Sequence, residues 1–146
     1  MSYINQIDAA SYIMIENIKD SGGNDFEFEL LLGRVSTHEE YVQIGESKIG
    51  PAKQIIFDEL SPAFRITFAR YIAFSVIDES YGDGDDFAYS GINIRKYTES
   101  FFLQYVRQDT FATDNYPGKF IHYRFLSENH IINVASTEEP IIEKLV

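Results

Sequence analysis

The alternation of apolar and polar side chains is most regular between Phe64 and Tyr81. Apolar residues occupy even positions over thirteen residues of this stretch, and small or polar residues lie between them. The apolar members are Phe64, Ile66, Phe68, Ile72, Phe74 and Val76. A period of two with aromatic and β-branched side chains is typical of a half-buried strand. The pattern predicts one long strand, Phe64–Ile77, whose apolar side chains share a buried face.

Arg70 interrupts this series at a position where an apolar side chain belongs. One interpretation is a bulge or strand end that returns the guanidinium to water, because arginine is seldom buried. The other is an arginine held beneath the sheet by a carboxylate partner. The pattern leaves both interpretations open.

Four more segments with strand-like patterns surround the long one. They are Lys53–Asp58, Phe87–Tyr97, Phe120–Ser127 and His130–Ser136. The turn Glu59–Pro62 predicts a hairpin between Lys53–Asp58 and the strand at Phe64. The turn Glu128-Asn129 predicts a hairpin between Phe120–Ser127 and His130–Ser136. The acidic stretch Asp78–Asp86 is expected to be a solvated hairpin tip.

Two helices are predicted before these strands in the sequence. Ser2–Lys19 has an amphipathic spacing, although Ile13 and Ile15 beside Met14 favour a strand in its second half. A capping box of Ser36 and Glu39 predicts a short helix over Glu40–Ile44.

Two helices are predicted towards the C-terminus. Thr98–Gln108 should be a helix, capped by Thr98 or Ser100, that lies across one face of the sheet. Pro140–Leu145 should be a last short helix with Pro140 in its first turn. The segment Asp25–Val35 alternates like a strand but also holds a capping-box pattern, so its structure stays open.

These elements predict one α+β domain over residues 1–146. Its centre is an antiparallel meander of about five strands, and the helices pack mainly on one face of that sheet. A chain of 146 residues with 45% hydrophobic side chains suits one domain with a real core.

Charge narrows the classes of partner. The net charge is −11, from 23 acidic and 12 basic residues, which weighs against direct binding of DNA or RNA. It favours a basic protein whose approach the field would steer. The sequence holds no cysteine, no apolar run of membrane-spanning length and no basic start followed by an apolar stretch. We therefore expect a cytoplasmic protein without a membrane partner.

Candidate binding residues fall into two sets. The acidic stretch supplies partner-binding candidates, namely Asp78, Glu79, Asp83, Asp85 and Asp86. Its spacing does not supply the ligand order of an EF-hand, so no calcium or other metal site is predicted. The second set would line a pocket on the concave side of the sheet and consists of Arg70, Tyr71, His122, Tyr123 and His130.

The histidines could carry chemistry only if the fold brings them together. His122 and His130 flank one predicted hairpin, so a two-histidine site is conceivable, and the alternative is a pair of hydrogen-bonded strand-end residues. No nucleophile elbow, phosphate loop or HExxH pattern is present in the sequence. No cofactor is predicted, and an enzyme is not the favoured interpretation.

A longer string of residues carries a resemblance. It includes Ile66-Thr67-Phe68, Tyr71–Val76, Asp78–Tyr81, Gly91, Arg95, Tyr97, Ser100, Phe102-Leu103, Tyr105-Val106, Thr110–Ala112, His122-Tyr123, Asn129–Val134 and Pro140-Ile141. This string resembles a group of small, uncharacterised bacterial proteins associated with immunity genes beside polymorphic toxins. The likeness covers roughly Lys48–Ile142 and transfers no catalytic role.

The resemblance and the acidity together predict a non-enzymatic binding protein, an immunity-type inhibitor of a basic toxin. An acidic inhibitor needs complementary charge and a few aromatic anchors but no catalytic group. The alternative is a small enzyme or ligand-binding domain that uses a pocket near Arg70, Tyr71, His122 and His130. The sequence pattern leaves the oligomeric state open.

Overall fold

The computed structural model describes residues 2–146, which form an antiparallel, mostly β structure with two α-helices. The strands are β1 (Ile13–Asp20), β2 (Phe26–Leu32), β3 (Arg34–Ile44), β4 (Ser47–Ile56), β5 (Ala63–Phe68), β6 (Ala73–Asp78), β7 (Ile94–Tyr97), β8 (Ile121–Leu126), β9 (His130–Ser136) and β10 (Ile141–Lys144). The helices are α1 (Tyr3–Asp8), α2 (Phe101–Asp109) and a 3₁₀ turn at Glu79–Tyr81.

The strands form two four-stranded sheets and one separate hairpin. The first sheet has the order β1-β2-β5-β10 and the second has the order β6-β9-β8-β7. Among residues 2–146, β3 and β4 pair only with each other, and we call this hairpin, residues 34–56, the arm. The predicted single meander of about five strands is therefore replaced by two sheets and an arm.

The core lies between the two sheets. Phe28 of the first sheet meets Phe125 of the second with ring centroids 5.0 Å apart, and Phe68 meets Tyr123 at 5.2 Å. Phe28, Phe68 and Phe125 are almost completely buried. Burying aromatic rings of this size is a dominant source of core stability, so this layer holds the sheets face to face.

The long strand predicted over Phe64–Ile77 is wrong, because the chain turns from the first sheet to the second in its middle. Phe64, Ile66 and Phe68 are buried in β5, as the alternation predicts. Arg70 then has a φ of 51° and an exposed side chain, which ends the strand and returns the guanidinium to water. The interpretation of Arg70 as a strand end is confirmed, and no buried carboxylate holds its side chain.

Beyond this corner the remaining apolar residues separate. Phe74 stacks on Phe26 in the inter-sheet core at 3.9 Å, whereas Ile72 packs in the cluster beneath α2. Val76 is 41% exposed. The prediction of a shared buried face is therefore confirmed for β5 and for Phe74, and it is wrong for Ile72 and Val76.

Two predicted helices were assigned to the wrong structure by local signals. The capping box at Ser36 and Glu39 starts no helix, because that segment is strand β3, which pairs with β4. The segment predicted as a helix at Pro140–Leu145 contains strand β10, whose Ile142 is opposite Ile66. Strand pairing supplies the backbone hydrogen bonds that a short helix would have supplied, and tertiary pairing overrides weak propensity.

Two predicted hairpins are also absent from the described residues. β4 pairs with β3 and not with β5, so Glu59–Pro62 connects different sheets. Asp78–Asp86 is no hairpin tip, because β6 pairs with β9 and only Ile94–Tyr97 of the predicted strand Phe87–Tyr97 is a strand.

The structure settles the two segments whose secondary structure the sequence left open, and it confirms one predicted hairpin and one predicted helix. Asp25–Val35 contains strand β2. Ser2–Lys19 is a helix only as far as Asp8 and a strand from Ile13. The hairpin of β8 and β9 around Glu128-Asn129 is confirmed, as is α2, where the backbone N–H of Leu103 donates to Ser100 Oγ at 3.0 Å.

The helices do not share one face as predicted. α1 contacts the edge strands β7 and β10, and its Ile7 is buried in the inter-sheet core. α2 packs Leu103 and Val106 against Phe120 and Ala135 on the outer side of the second sheet. No helix within residues 2–146 is both long and apolar enough to cross a bilayer.

Candidate functional site

The outer face of the second sheet carries a row of polar side chains that crosses all four strands. Ser75 is opposite Asn133, Asn133 is opposite Arg124, and Arg124 is opposite Arg95. Side chains directly opposite one another lie on the same face of a sheet. Tyr123 and Phe125 alternate with Arg124 and point into the core, so the row faces away from the first sheet.

Asn133 joins three members of this network. Its Nδ2 donates to Ser75 Oγ on β6 at 3.1 Å, so Oδ1 points the opposite way, towards β8. There Oδ1 accepts from Arg124 Nε at 2.8 Å and from His122 Nε2 at 2.7 Å. Because Oδ1 has no proton to give, His122 carries its proton on Nε2.

The other nitrogen of His122 binds the start of α2. Nδ1 lies 2.8 Å from Ser100 Oγ, and Ser100 Oγ already accepts the backbone N–H of Leu103. The hydroxyl proton of Ser100 is therefore available to donate to Nδ1. The imidazole also stacks on Tyr97 at 4.9 Å, so His122 fastens α2 to the sheet.

Burial determines the charge of His122. The side chain is inaccessible to water, and this desolvation lowers its pKa to about 4, with Arg124 adding to the effect and the Asn133 hydrogen bond opposing it. At neutral pH the ring is uncharged and both nitrogens are engaged. His122 is thus placed for a structural role and cannot reach a substrate in this arrangement.

Residues 82–93 form a loop over this outer face, which we call the cover loop. Arg124 Nη1 lies 3.6 Å from Asp85 Oδ2, and the Asp85 side chain is only 8% exposed. Phe87 packs edge-on against Phe101 of α2 with ring centroids 4.9 Å apart. At Gly82 an added Cβ would come within 2.7 Å of Ile131, so the loop begins in close contact with the sheet.

A cavity of about 380 Å³ lies between the cover loop and the sheet. Its charged lining consists of two arginines, Arg95 and Arg124, and three carboxylates, Glu79, Asp83 and Asp85. Tyr89 and Tyr97 add aromatic surface, and the Arg95 guanidinium lies 4.2 Å from the Tyr89 ring centre. This combination of both charge signs with the exposed ring of Tyr89 above the buried ring of Tyr97 makes the cavity the candidate binding site.

A larger cavity of about 570 Å³ at the base of the arm offers less chemistry. Its lining is mainly small and apolar, and its one charged member is Arg34. Arg34 donates two hydrogen bonds to Asp58, at 2.9 and 2.8 Å, and these lower the pKa of the Asp58 carboxyl. The arginine is therefore already engaged.

The structure distributes the predicted acidic set along the edge of the cavity. Glu79 and Asp83 line it, and Asp86 is exposed beside it. Asp78 caps the 3₁₀ turn, and the N–H of Ser80 that it accepts lowers the pKa of Asp78. Asp85 alone among the five has an ion-pair partner within the described residues, so the stretch is partly anchored and not a free tip.

The structure does not gather the predicted pocket set. Tyr71 lies beyond Arg70 at the corner between the sheets, and its hydroxyl donates to Asp20 at 3.2 Å. Burial raises the pKa of Tyr71, and it raises the pKa of Tyr123 in the core to about 12. His122 is opposite Ala135 and His130 is opposite Asp78, so the two histidines are not cross-strand partners.

Sequence reasoning missed four members of the site: Arg95, Arg124, Asn133 and Tyr89. One signal was present, because Arg124 and Asn133 lie at matching distances from the Glu128-Asn129 turn and a hairpin places them opposite each other. The contribution of β6, β7 and the cover loop had no such local signal. Within residues 2–146 no cluster of three or more metal-ligating side chains is present.

Comparisons with protein-family models, with curated proteins and with solved structures found no match in any of the three. The geometry of the outer face and the cover loop is therefore the basis for inferring function.

Proposed function

We propose that this chain is a non-enzymatic binding protein that recognises a basic protein through the cover loop and the cavity beneath it. One observation carries the proposal. Of the five carboxylates between Asp78 and Asp86, only Asp85 has an ion-pair partner among the described residues, and the other four are exposed. This local negative charge adds to the net charge of −11 and would steer a basic partner to the cavity.

Aromatic anchors accompany the charge. Tyr81 is 80% exposed beside the acidic residues, and Tyr89 is half exposed at the cavity. Tyrosines of this kind supply much of the binding energy in protein interfaces, whereas exposed charges act mainly on the rate of encounter. A lysine or arginine of the partner would lie between Glu79 and Asp83, with the tyrosines packing on its aliphatic part.

The polar groups that an enzyme would use are engaged in structure. His122 has both nitrogens bonded and its pKa lowered to about 4, and Arg124 is bonded to Asn133 and Asp85. This supports binding over catalysis at the site. The resemblance to immunity-associated proteins extends the proposal to inhibition of a basic toxin in the bacterial cytoplasm.

A second candidate function rests on the cavity itself. Its volume of about 380 Å³ falls within the range of small-molecule sites, roughly 300–1,000 Å³. Arg95, which is partly exposed, would meet an anionic group of such a ligand, and Tyr97 forms the floor. The ligand-binding function is thus centred on Arg95 and Arg124, not on Arg70 and His130.

The test measures association with the product of the neighbouring gene, which the proposal requires to be a basic protein. Stopped-flow rates should fall steeply with rising salt, because exposed charges are screened beyond about 8 Å at physiological ionic strength. Asp83→Lys with Asp86→Lys should slow association, whereas Glu16→Lys with Glu138→Lys changes net charge equally but lies outside the cavity lining. Equal effects of the two pairs would remove the cover loop from the interface.

A cellular assay tests the inhibitor part of the proposal. Cells that express the neighbouring toxin gene should survive when this chain is co-expressed and should die with the Asp83→Lys, Asp86→Lys variant. Death with the wild-type chain would overturn the immunity function, and an anionic small molecule that binds wild type but not Arg95→Ala would favour the second candidate.

A further inference from the structure

Two arginines lie directly opposite each other beneath the cover loop. Arg95 of β7 is paired with Arg124 of β8, and both line the cavity of about 380 Å³. Residues opposite each other in an antiparallel pair have Cβ atoms about 4.5–5.5 Å apart, and like charges at this spacing repel. The repulsion between these two guanidinium groups requires negative charge at the same place to offset it.

Asp85 supplies only part of that negative charge. Its Oδ2 lies 3.6 Å from Arg124 Nη1, which is an ion pair but too long for a hydrogen bond. Its Oδ1 accepts the backbone N–H of Phe87 at 2.9 Å. Arg95 forms no ion pair with any carboxylate of residues 2–146. One positive charge of the arginine pair therefore stays uncompensated.

Both guanidinium groups are fixed through Nε and have free outer nitrogens. Arg95 Nε donates to the carbonyl of Ile92 at 3.1 Å, and Arg124 Nε donates to Asn133 Oδ1 at 2.8 Å. Their Nη atoms donate no hydrogen bond to residues 2–146. Those atoms are also accessible, because His130 Nδ1 is the one fully buried side-chain nitrogen or oxygen of these residues that lacks a partner. The pair thus presents fixed N–H donors that a ligand can reach.

The charge of the cavity favours a carboxylate as the anion that these donors bind. Planar guanidinium groups match the oxygens of carboxylate and of phosphate. A carboxylate brings one negative charge, which equals the uncompensated charge of the arginine pair. A phosphate monoester brings about two, and it would meet repulsion from Glu79, Asp83 and Asp85 of the same lining.

The same cavity also has a place for positive charge. Glu79 and Asp83 line it, and neither forms an ion pair within the described part of the chain. The proposed function places a basic side chain of the partner between them. A lysine or arginine at the end of a chain carries that side chain and a carboxylate on one residue. The cavity volume of about 380 Å³ is near the lower end of the range for ligand sites, roughly 300–1,000 Å³, so it suits one terminal residue better than a longer segment.

We propose that Arg95 and Arg124 form a carboxylate-binding subsite for a ligand that ends in a lysine or arginine residue. The α-carboxylate of that residue accepts hydrogen bonds from the Nη groups of both arginines, and its basic side chain lies between Glu79 and Asp83. The inference rests on the proposed function, because it adds a second contact in the same cavity. The C-terminus of a basic protein and a free basic amino acid share this chemistry, and the choice of probes separates them.

Calorimetric titration of the full chain with synthetic peptides tests the subsite. The probes are N-acetyl-Ala-Ala-Lys with a free carboxylate, the same peptide with a C-terminal amide, and free L-lysine. Amidation should weaken binding at least about ten-fold, because the Nη donors then lose their anion. Tighter binding of free lysine than of the acid peptide would assign the site to an amino acid, and weaker binding would assign it to a protein C-terminus.

Two results would overturn the proposal, and both are separable from the proposed function. They are equal binding of the acid and amide peptides, and no binding of any probe at about 1 mM. If the basic partner still associates in a salt-dependent way in either case, the proposed function stands without the carboxylate subsite. If the acid peptide is preferred but no partner associates, the subsite stands without the proposed protein partner.

Matched variants localise the carboxylate. Arg95→Ala should abolish the preference for the acid over the amide peptide. Arg70→Ala removes the same charge at an exposed position outside the cavity lining and should retain the preference. Asp83→Asn should weaken binding of the lysine peptide but not of N-acetyl-Ala-Ala-Leu, which has the carboxylate without the cation. An undiminished acid preference in folded Arg95→Ala would place the carboxylate elsewhere and overturn the proposal.

Discussion

His122 Nε2 lies 2.7 Å from Asn133 Oδ1, and this hydrogen bond links two neighbouring strands at the centre of the outer-face network. The bond places the imidazole proton on Nε2 and leaves Nδ1 to accept from Ser100. Packing of α2 and the position of Arg124 therefore both depend on a neutral His122.

The protein should lose stability in mild acid because of His122. Its folded pKa of about 4 is below the ordinary histidine pKa of 6.5, so between these pH values the unfolded chain binds a proton that the folded chain excludes. The free energy of unfolding should fall by about 2 kcal/mol between pH 7 and pH 4.5 from this group. Urea titrations at several pH values provide the measurement.

The matched controls are His122→Gln and His38→Gln. The first should reduce the pH dependence in that window, and the second, at an exposed residue of the arm, should not. A wild-type slope that survives in His122→Gln would mean that other groups carry the acid sensitivity.

Truncating Phe68 should reveal the strength of the inter-sheet core. Phe68 is 1% exposed and contacts both Tyr123 and Phe125. Phe68→Ala should cost about 3–5 kcal/mol of unfolding free energy, and Phe74→Ala should cost a similar amount, because each leaves a cavity in a packed layer. Chemical denaturation measures both losses.

Phe111→Ala is the control, since that ring is 83% exposed and its removal should cost less than about 0.5 kcal/mol. Losses below about 1 kcal/mol for both core variants would contradict the face-to-face packing of the sheets.

Removing Arg124 should release the cover loop. Its partner Asp85 is 8% exposed, so Arg124→Ala leaves a carboxylate buried without its cation, which typically costs about 3–5 kcal/mol. The variant should also be cleaved faster by protease within residues 82–93. Lys96→Ala breaks the exposed pair with Glu139 and should cost less than about 1 kcal/mol. Similar losses in the two variants would argue against a structural role for the Arg124–Asp85 pair.

The two helix caps should differ in their contribution. Ser100→Ala removes the cap of α2 and the donor to His122, so we expect a loss at the upper end of the usual range, about 2 kcal/mol. Ser2→Ala removes an exposed cap at 3.3 Å and should cost about 0.5 kcal/mol. Thermal denaturation of both variants measures the difference, and equal losses would show that the bond to His122 adds nothing.

Prediction from the sequence succeeded where the signal lies within a few residues. The alternation of Phe64, Ile66 and Phe68 predicted a buried strand, and the Glu128-Asn129 turn predicted the pairing of β8 with β9. Ser100, the cap of α2, was one of two candidates together with Thr98. Each of these depends on local geometry, either a period of two, a cap within one turn, or a short loop.

Prediction from the sequence failed where two local patterns compete and only a partner distant in the sequence decides between them. Ser36 and Glu39 make a sound capping box, but β4 offers their segment a strand partner. Ile142 pairs with Ile66 across more than seventy residues of sequence, and nothing near Pro140 reveals it.

The alternating pattern and the acidic composition, both local properties, determined that this protein has buried antiparallel strands and a strongly negative surface. Only the tertiary structure decided that the long pattern at Phe64 bends at Arg70 into a second sheet, because a φ of 51° there redirects every side chain that follows. The same bend places Ser75 beside Asn133 and, through it, Arg124 and Arg95. The candidate site exists because strands far apart in sequence are adjacent, and burial of the aromatic core between the two sheets is what holds them there.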